Sequence, residues 1–199
     1  SAHDDARERL QALLRRAAPL ATAAPELLVE LQIKLARNAI FAASYTDAEA
    51  LLREVLTHAA APRQIADARR LRAWLLSRTG RHSEALDELR QLIADSRQQF
   101  GADSWPTLMV EGAMATSLHR AAEFAAARDL RLQVIATMRE RFGGHSELGV
   151  QLSHLAAHLV QLQQAEAAEV AAREAIERMT RQFGADHRML GNAHSHLGA

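Results

Sequence analysis

One phrase returns three times in this chain, and it constrains the fold more than any other feature. "RQQFGADSWPTL" occupies residues 97–108, "RERFGGHSELGV" residues 139–150 and "RQFGADHRMLGN" residues 181–192. Phe100 and Phe142 are 42 residues apart, and Phe142 and Phe183 are 41 apart. A period between 20 and 50 residues marks a chain built by stacking one small unit on the next. Other positions keep the same phase. Ala85, Ala127 and Ala168 each stand fifteen residues before the phenylalanine, and Ala48 and Ala6 extend this ladder upstream, so that its steps are 42, 37, 42 and 41. A second ladder runs twelve residues ahead of the later members of the first: Ala36, Ala73, Ala115 and Ala156, with Gly198 continuing it. The residues before these are Leu35, Arg72, Met114, Leu155 and Leu197, apolar in all but one case.

The local pattern within a unit is that of two helices. The first carries an apolar stripe at helical spacing, as in Leu28, Leu31, Leu35 and Ala39 or Leu148, Leu152, Leu155 and Leu159. A short turn follows, clearest at Gly80-Arg81. The second helix holds the ladder alanine and then larger apolar residues such as Leu89, Leu92 and Ile93, or Leu130, Val134 and Met138. The Phe-Gly phrase reads as the helix stop, with glycine free to take the left-handed conformation, and Pro106 reads as a fresh helix start. Prolines 19 and 25 bracket "PLATAAP", which reads as an inter-helix turn. Composition agrees: apolar residues make up 48% and aromatics only 4%, a mixture suited to close helix packing rather than to sheets.

These ladders resemble tetratricopeptide repeats, with small residues at the eighth and twentieth positions of each unit. The long period and the "FGADH" ending resemble the kinesin light chain type. The glycine that the family places before the second helix is kept at Gly80 and replaced by Ala43, Ala122 and Gln163. The asparagine-rich first helices of kinesin light chains are missing, Asn38 and Asn192 being the asparagines present, so the resemblance does not imply a kinesin-cargo role. It implies an all-α solenoid of stacked antiparallel helix pairs, wound as a right-handed superhelix. The units fall at about 25–62, 63–106, 107–146 and 147–187, with partial units at 1–24 and 188–199. Both ends stop in mid-unit, so residues 1–199 are expected to be one array cut from a longer protein, with open ends that favour self-association. In bacteria, repeats of this type often form regulatory regions of protein kinases or transcriptional regulators, and the Ala/Arg/Leu-rich composition fits a bacterial source.

Several classes of function are argued against. The 24 basic and 24 acidic residues cancel, which speaks against nucleic-acid binding by this segment. There is no cysteine, hence no disulfide or thiol chemistry. No run of about 18 apolar residues is present to insert in a membrane, and a cytoplasmic location is expected. Neither G-x-S-x-G nor G-x-x-x-x-G-K-[ST] occurs, so no catalytic residue is assigned. The pair Asp186-His187 falls in the repeated turn. His154 and His158 have metal-ligand spacing on a helix, but "SHLAAHLVQLQ" offers no carboxylate beside them, and they read as structural. His154 and His196 occupy equivalent points of successive units. Trp105 reads as a packing residue. No metal or other cofactor is expected.

The expected function is a non-catalytic module that captures a protein or peptide in the concave groove. The alternative is a ligand- or peptide-responsive sensor arm of a larger bacterial regulator. In the repeats that this chain resembles, the groove is lined by set positions of the first helices. Counted from the eighth-position residue, these include Arg37, Phe41, Arg70, Trp74 and Arg78 in the first half of the chain, and Thr116, His119, Arg120, Ser153 and Gln161 in the second. The recurrent arginines suit a partner with acidic residues or a free C-terminal carboxylate, and the aromatic residues suit an apolar side chain. Pairing of the arginines with Glu30, Asp67 and Glu111 is the competing reading.

Overall fold

The computed structural model describes residues 12–184 except 14, 144 and 146. The expectations for Ala6, Asp186, His187, Asn192, His196, Leu197 and Gly198 lie outside these residues. Among the described residues there is no strand. Helices follow one another as α1 (Leu20–Ala23), α2 (Pro25–Phe41), α3 (Tyr45–His58), α4 (Pro62–Arg78), α5 (His82–Phe100), α6 (Trp105–Arg120), α7 (Phe124–Phe142), α8 (Glu147–Gln161) and α9 (Ala165–Phe183). Helices α2/α3, α6/α7 and α8/α9 pack as pairs; α4 packs on α2 and α3, and α8 on α6 and α7. The architecture is the all-α, tetratricopeptide-like solenoid that the ladders predict.

The turn inside each pair is built the same way four times. The backbone N–H of Ser44 donates to Ala39 O at 2.9 Å, Arg81 to Leu76 O at 2.9 Å, Glu123 to Leu118 O at 2.9 Å and Gln164 to Leu159 O at 3.0 Å. This bond spans six residues and satisfies a carbonyl left open at the helix end. It requires the residue before the donor to be left-handed. That residue is Gly80 (φ 81°) once, but Ala43 (58°), Ala122 (63°) and Gln163 (57°) elsewhere. The three replacements of the family glycine therefore leave the turn intact and carry the strain of a Cβ in left-handed backbone.

Between pairs, the Phe-Gly phrase ends the helix as expected. Gly101 and Gly184 take positive φ of 93° and 83°, whereas Gly143, at φ −14°, ends its helix without it. After Gly101, Ser104 caps α6 by accepting from the Thr107 N–H at 3.4 Å, and the Thr107 hydroxyl donates to Gly101 O at 2.8 Å. Trp105 opens α6, and it packs edge-on against Phe142 at 5.3 Å, as a packing residue should. One expectation differs: "PLATAAP" is not only a turn, since Leu20–Ala23 forms the short helix α1. Its Leu-Ala-Thr-Ala run lacks a helix breaker. Pro25 then forces Ala24 out of helical geometry (φ −156°, ψ 69°) and opens α2.

The chain divides into two compact units, residues 1–92 and 93–199. In the first, the core gathers Val29, Ile33, Ile40, Leu52, Val55 and Leu71. In the second, it gathers Leu108, Val134, Met138, Leu148, Leu152 and Met179. Both described ladders are inside: Ala36, Ala73, Ala115 and Ala156 are 0% exposed, as are Ala48, Ala85 and Ala127, with Ala168 at 2%.

Two stability outcomes follow. Ala127→Leu forces three extra carbons into a filled position and is expected to cost about 1–3 kcal/mol in urea unfolding; an unchanged midpoint would contradict the close helix approach. Glycine at position 43, 122 or 163 should relieve about 1–2 kcal/mol of left-handed strain against about 0.5–1 kcal/mol of added chain entropy. Each replacement should therefore raise the melting temperature, and a lowered one would contradict the strained turn.

Candidate functional site

In the first unit, residues of the expected groove meet across two adjacent first helices. Arg37 and Phe41 are one turn apart on α2, and Arg70, Trp74 and Arg78 are successive turns of α4. The rows touch where Phe41 packs edge-to-face on Trp74, with ring centroids 4.8 Å apart. Phe41 is nevertheless 61% exposed, an arrangement that leaves a large apolar surface in water beside cationic side chains. The arginines are not equivalent. Arg70 is bound to Asp67 at 3.0 Å, as the competing reading expects. Arg78 donates to the Tyr45 hydroxyl at 3.2 Å, and it forms no ion pair with the described residues. Arg37 is exposed and likewise forms none.

The second unit treats the equivalent positions differently. Thr116 and His119 serve an internal polar layer, Ser153 is buried at 8% exposure, and Arg120 and Gln161 are exposed. The centre of that layer is Arg131 on α7, 1% exposed. Its guanidinium reaches between α6 and α8, donating to Gln151 Oε1 and, at 2.8 Å, to Thr116 Oγ1. Thr116 donates in turn to Gly112 O at 3.1 Å, and Gln151 donates to the Glu147 carboxylate at 2.9 Å. Burial lowers the Arg131 pKa to about 9, against the pull of Glu147, so the group is a buried cation at neutral pH. Its Nε has no hydrogen-bond partner among the described residues. Beside this layer His119 Nδ1 and His158 Nδ1 lie 2.9 Å apart, so one nitrogen carries the proton and the other accepts it. Phe124 packs on His119 at 5.1 Å. The spacing of His154 and His158 thus ends with His158, 2% exposed, engaged with α6. No group of three His, Asp or Glu side chains that could hold a metal occurs among the described residues.

Glu111, named as a partner for groove arginines, pairs with Arg97 at 2.7 Å instead. Arg131 was missed by sequence reasoning, although the signal was present. The residue four places after each ladder alanine is Leu52, Leu89, Arg131 and Ala172, all buried. An arginine in that register breaks the repeat, and Gly112, three residues before Ala115, marks the space it uses. A Cβ on Gly112 would lie 3.1 Å from the Gln151 amide and 3.2 Å from Arg131 Nη1.

Solved structures with this fold are known. The crystal structure of BtubC (BKLC) from P. vanneervenii matches with a TM-score of 0.76 at 19% identity, covering 100% of this chain and 82% of that one. The Podosopora anserina putative kinesin light chain with nearly identical TPR-like repeats matches with a TM-score of 0.64 at 16% identity, covering 85% of this chain and 83% of the other. The fold is TPR-like. No protein-family model matches the chain, and no curated protein does. At these identities the likeness carries the architecture and leaves the side chains of the site to this sequence.

The Arg131 layer has a measurable signature. Arg131→Leu leaves Gln151 Oε1 without its buried donor and should cost about 1–3 kcal/mol. Adding Gln151→Leu should recover most of that loss, because the network is then removed rather than broken. Urea unfolding of the single and double variants checks this; a double variant weaker by the sum of both losses would contradict it.

Proposed function

We propose that the chain is a non-catalytic interaction module that captures a protein or peptide segment on the first-helix faces of its repeats. TPR-like folds generally mediate protein–protein interaction, and solenoids present extended surfaces for it. The observation that carries the reading here is the exposed Phe41 ring packed edge-to-face on Trp74, with Arg37 and Arg78 on the same two helices and without acidic partners among the described residues. Partly exposed aromatic and arginine side chains are the residue types that dominate binding energy at interfaces. The preferred segment carries an apolar or aromatic residue for Phe41 and Trp74 and acidic residues, or its own C-terminal carboxylate, for Arg37 and Arg78. Arg70, already neutralised by Asp67, contributes less. In the second unit Arg120 and Gln161 are exposed at the equivalent first-helix positions, while Thr116, His119 and Ser153 lie inside that unit.

A peptide array of acidic, neutral and basic segments tests the reading. Captured peptides should combine acidic and apolar residues, and binding should fall as salt rises. Arg37→Ala/Arg78→Ala should weaken capture by about tenfold or more, the value of one or two charge-assisted contacts. Trp74→Ala should do the same at any salt concentration. Peptides captured without acidic preference, or held equally by both variants, would overturn the assignment.

A further inference from the structure

Two polar ties join α6 to α8 in the second unit. One is the Arg131 bridge between Thr116 and Gln151. The other is the contact of His119 Nδ1 with His158 Nδ1 at 2.9 Å, in which the ring centroids lie 4.7 Å apart and the planes 36° from parallel. Both imidazoles stand in the last turn of their helix, where the helix dipole favours a cation. His158 is buried, and His119 is half-buried beside the Phe124 ring.

The bond between the rings limits how many protons they can hold. Two imidazoles have four ring nitrogens, and a bond between two of them needs one N–H and one bare nitrogen. Three nitrogens can therefore be protonated with the contact intact, giving one imidazolium and one neutral ring. A fourth proton must go on the accepting Nδ1. It removes the acceptor and sets two cations against each other at hydrogen-bond distance. On α6, Arg120 is adjacent to His119, and Glu111, about two turns back, is held by Arg97. On α7, Arg131 is a further buried cation, and Glu123, just before Phe124, is exposed. On α8, His154 lies one turn before His158, and Glu147, about three turns before it, accepts from Gln151. On α9, Glu166 and Glu169 are exposed. These acids favour the single imidazolium that the bond tolerates; none of them restores the acceptor that the second one removes.

We propose that the His119–His158 contact is an acid-released joint. At neutral pH it ties the end of α6 to the end of α8, and protonation of both rings opens it, loosening the exposed positions beside it, Arg120 and Gln161. Imidazoles ordinarily take up their proton near pH 6.5, at about the middle of the physiological range. Below that pH the opened state binds one proton more than the tied state, so the tie weakens by about tenfold per pH unit as pH falls. Above it both states hold the same number of protons on these rings, and the tie is fully present. The joint lies in the second unit and does not depend on capture at Phe41 and Trp74, so either can fail without the other.

The test is amide hydrogen exchange of the whole chain between about pH 7.5 and pH 5, a window that stays above the ordinary carboxylate range, with rates corrected for the intrinsic effect of pH. Protection in the last turns of α6 and α8 should fall by about tenfold per pH unit below about pH 6.5, while that of α2 and α4 stays level. His119→Asn separates the joint from a merely buried ring. The asparagine amide can turn its N–H to a neutral His158 or its oxygen to a protonated one, so protection at neutral pH should be kept and the acid response lost. Imidazole nitrogen NMR of the unaltered protein gives a second readout: one Nδ1 should stay unprotonated for as long as the protection lasts. Protection in α6 and α8 that is level down to pH 5, an equal acid response in His119→Asn, or two fully protonated rings in a protein that is still protected would overturn the proposal.

Discussion

Two helices can approach only as closely as the side chains between them allow. In this chain that distance is set by alanine. With Ala36, Ala73, Ala115 and Ala156 on the first helices and Ala48, Ala85, Ala127 and Ala168 on the second, the ladder positions are fully or almost fully buried. Close approach lets larger neighbours such as Ile40, Leu52, Leu89 and Val134 reach across and fill the remaining space at protein-like density. It also fixes which faces are left over. Once the alanine face of a first helix is turned inward, the positions one and five residues further on, Arg37 and Phe41 or Trp74 and Arg78, point elsewhere and are released for contact with other molecules.

The turn must deliver the second helix at the right angle each time, and the six-residue backbone bond does this. It is indifferent to which side chain occupies the left-handed position, provided the surroundings hold it there. Ala43, Ala122 and Gln163 show that packing of the pair outweighs the strain of a single residue. Stability is thus traded locally in three turns while the geometry stays that of Gly80.

The ladders, the paired helices, the Phe-Gly stops and the buried alanines were all legible in the sequence, because each follows from spacing alone. The helix α1 was not: two prolines six residues apart around Leu-Ala-Thr-Ala read as a turn, and a single helical turn between breakers has no periodicity to detect. The positions of the first-helix face were also legible, but not what each residue does there. Arg70 is neutralised by Asp67, one turn away and visible in the sequence, whereas the meeting of Phe41 with Trp74 joins residues 33 apart on different helices. The His119–His158 contact joins residues 39 apart, and spacing cannot tell a tied side chain from an open one. Arg131 lay in plain register with Leu52 and Leu89; it was passed over because an arginine on a helix is ordinarily a surface residue.

Gly112 and Arg131 also limit the order in which this sequence can change. While the arginine is in place, the missing Cβ at position 112 is space for the guanidinium and the Gln151 amide. If the arginine were first exchanged for the leucine found at positions 52 and 89, a side chain at 112 would become an improvement, filling room no longer used. Afterwards, a return to arginine would meet an occupied gap. The two positions therefore form an evolutionary ratchet, and in relatives of this chain the identity at one should predict the identity at the other, whatever partner the repeats have come to hold.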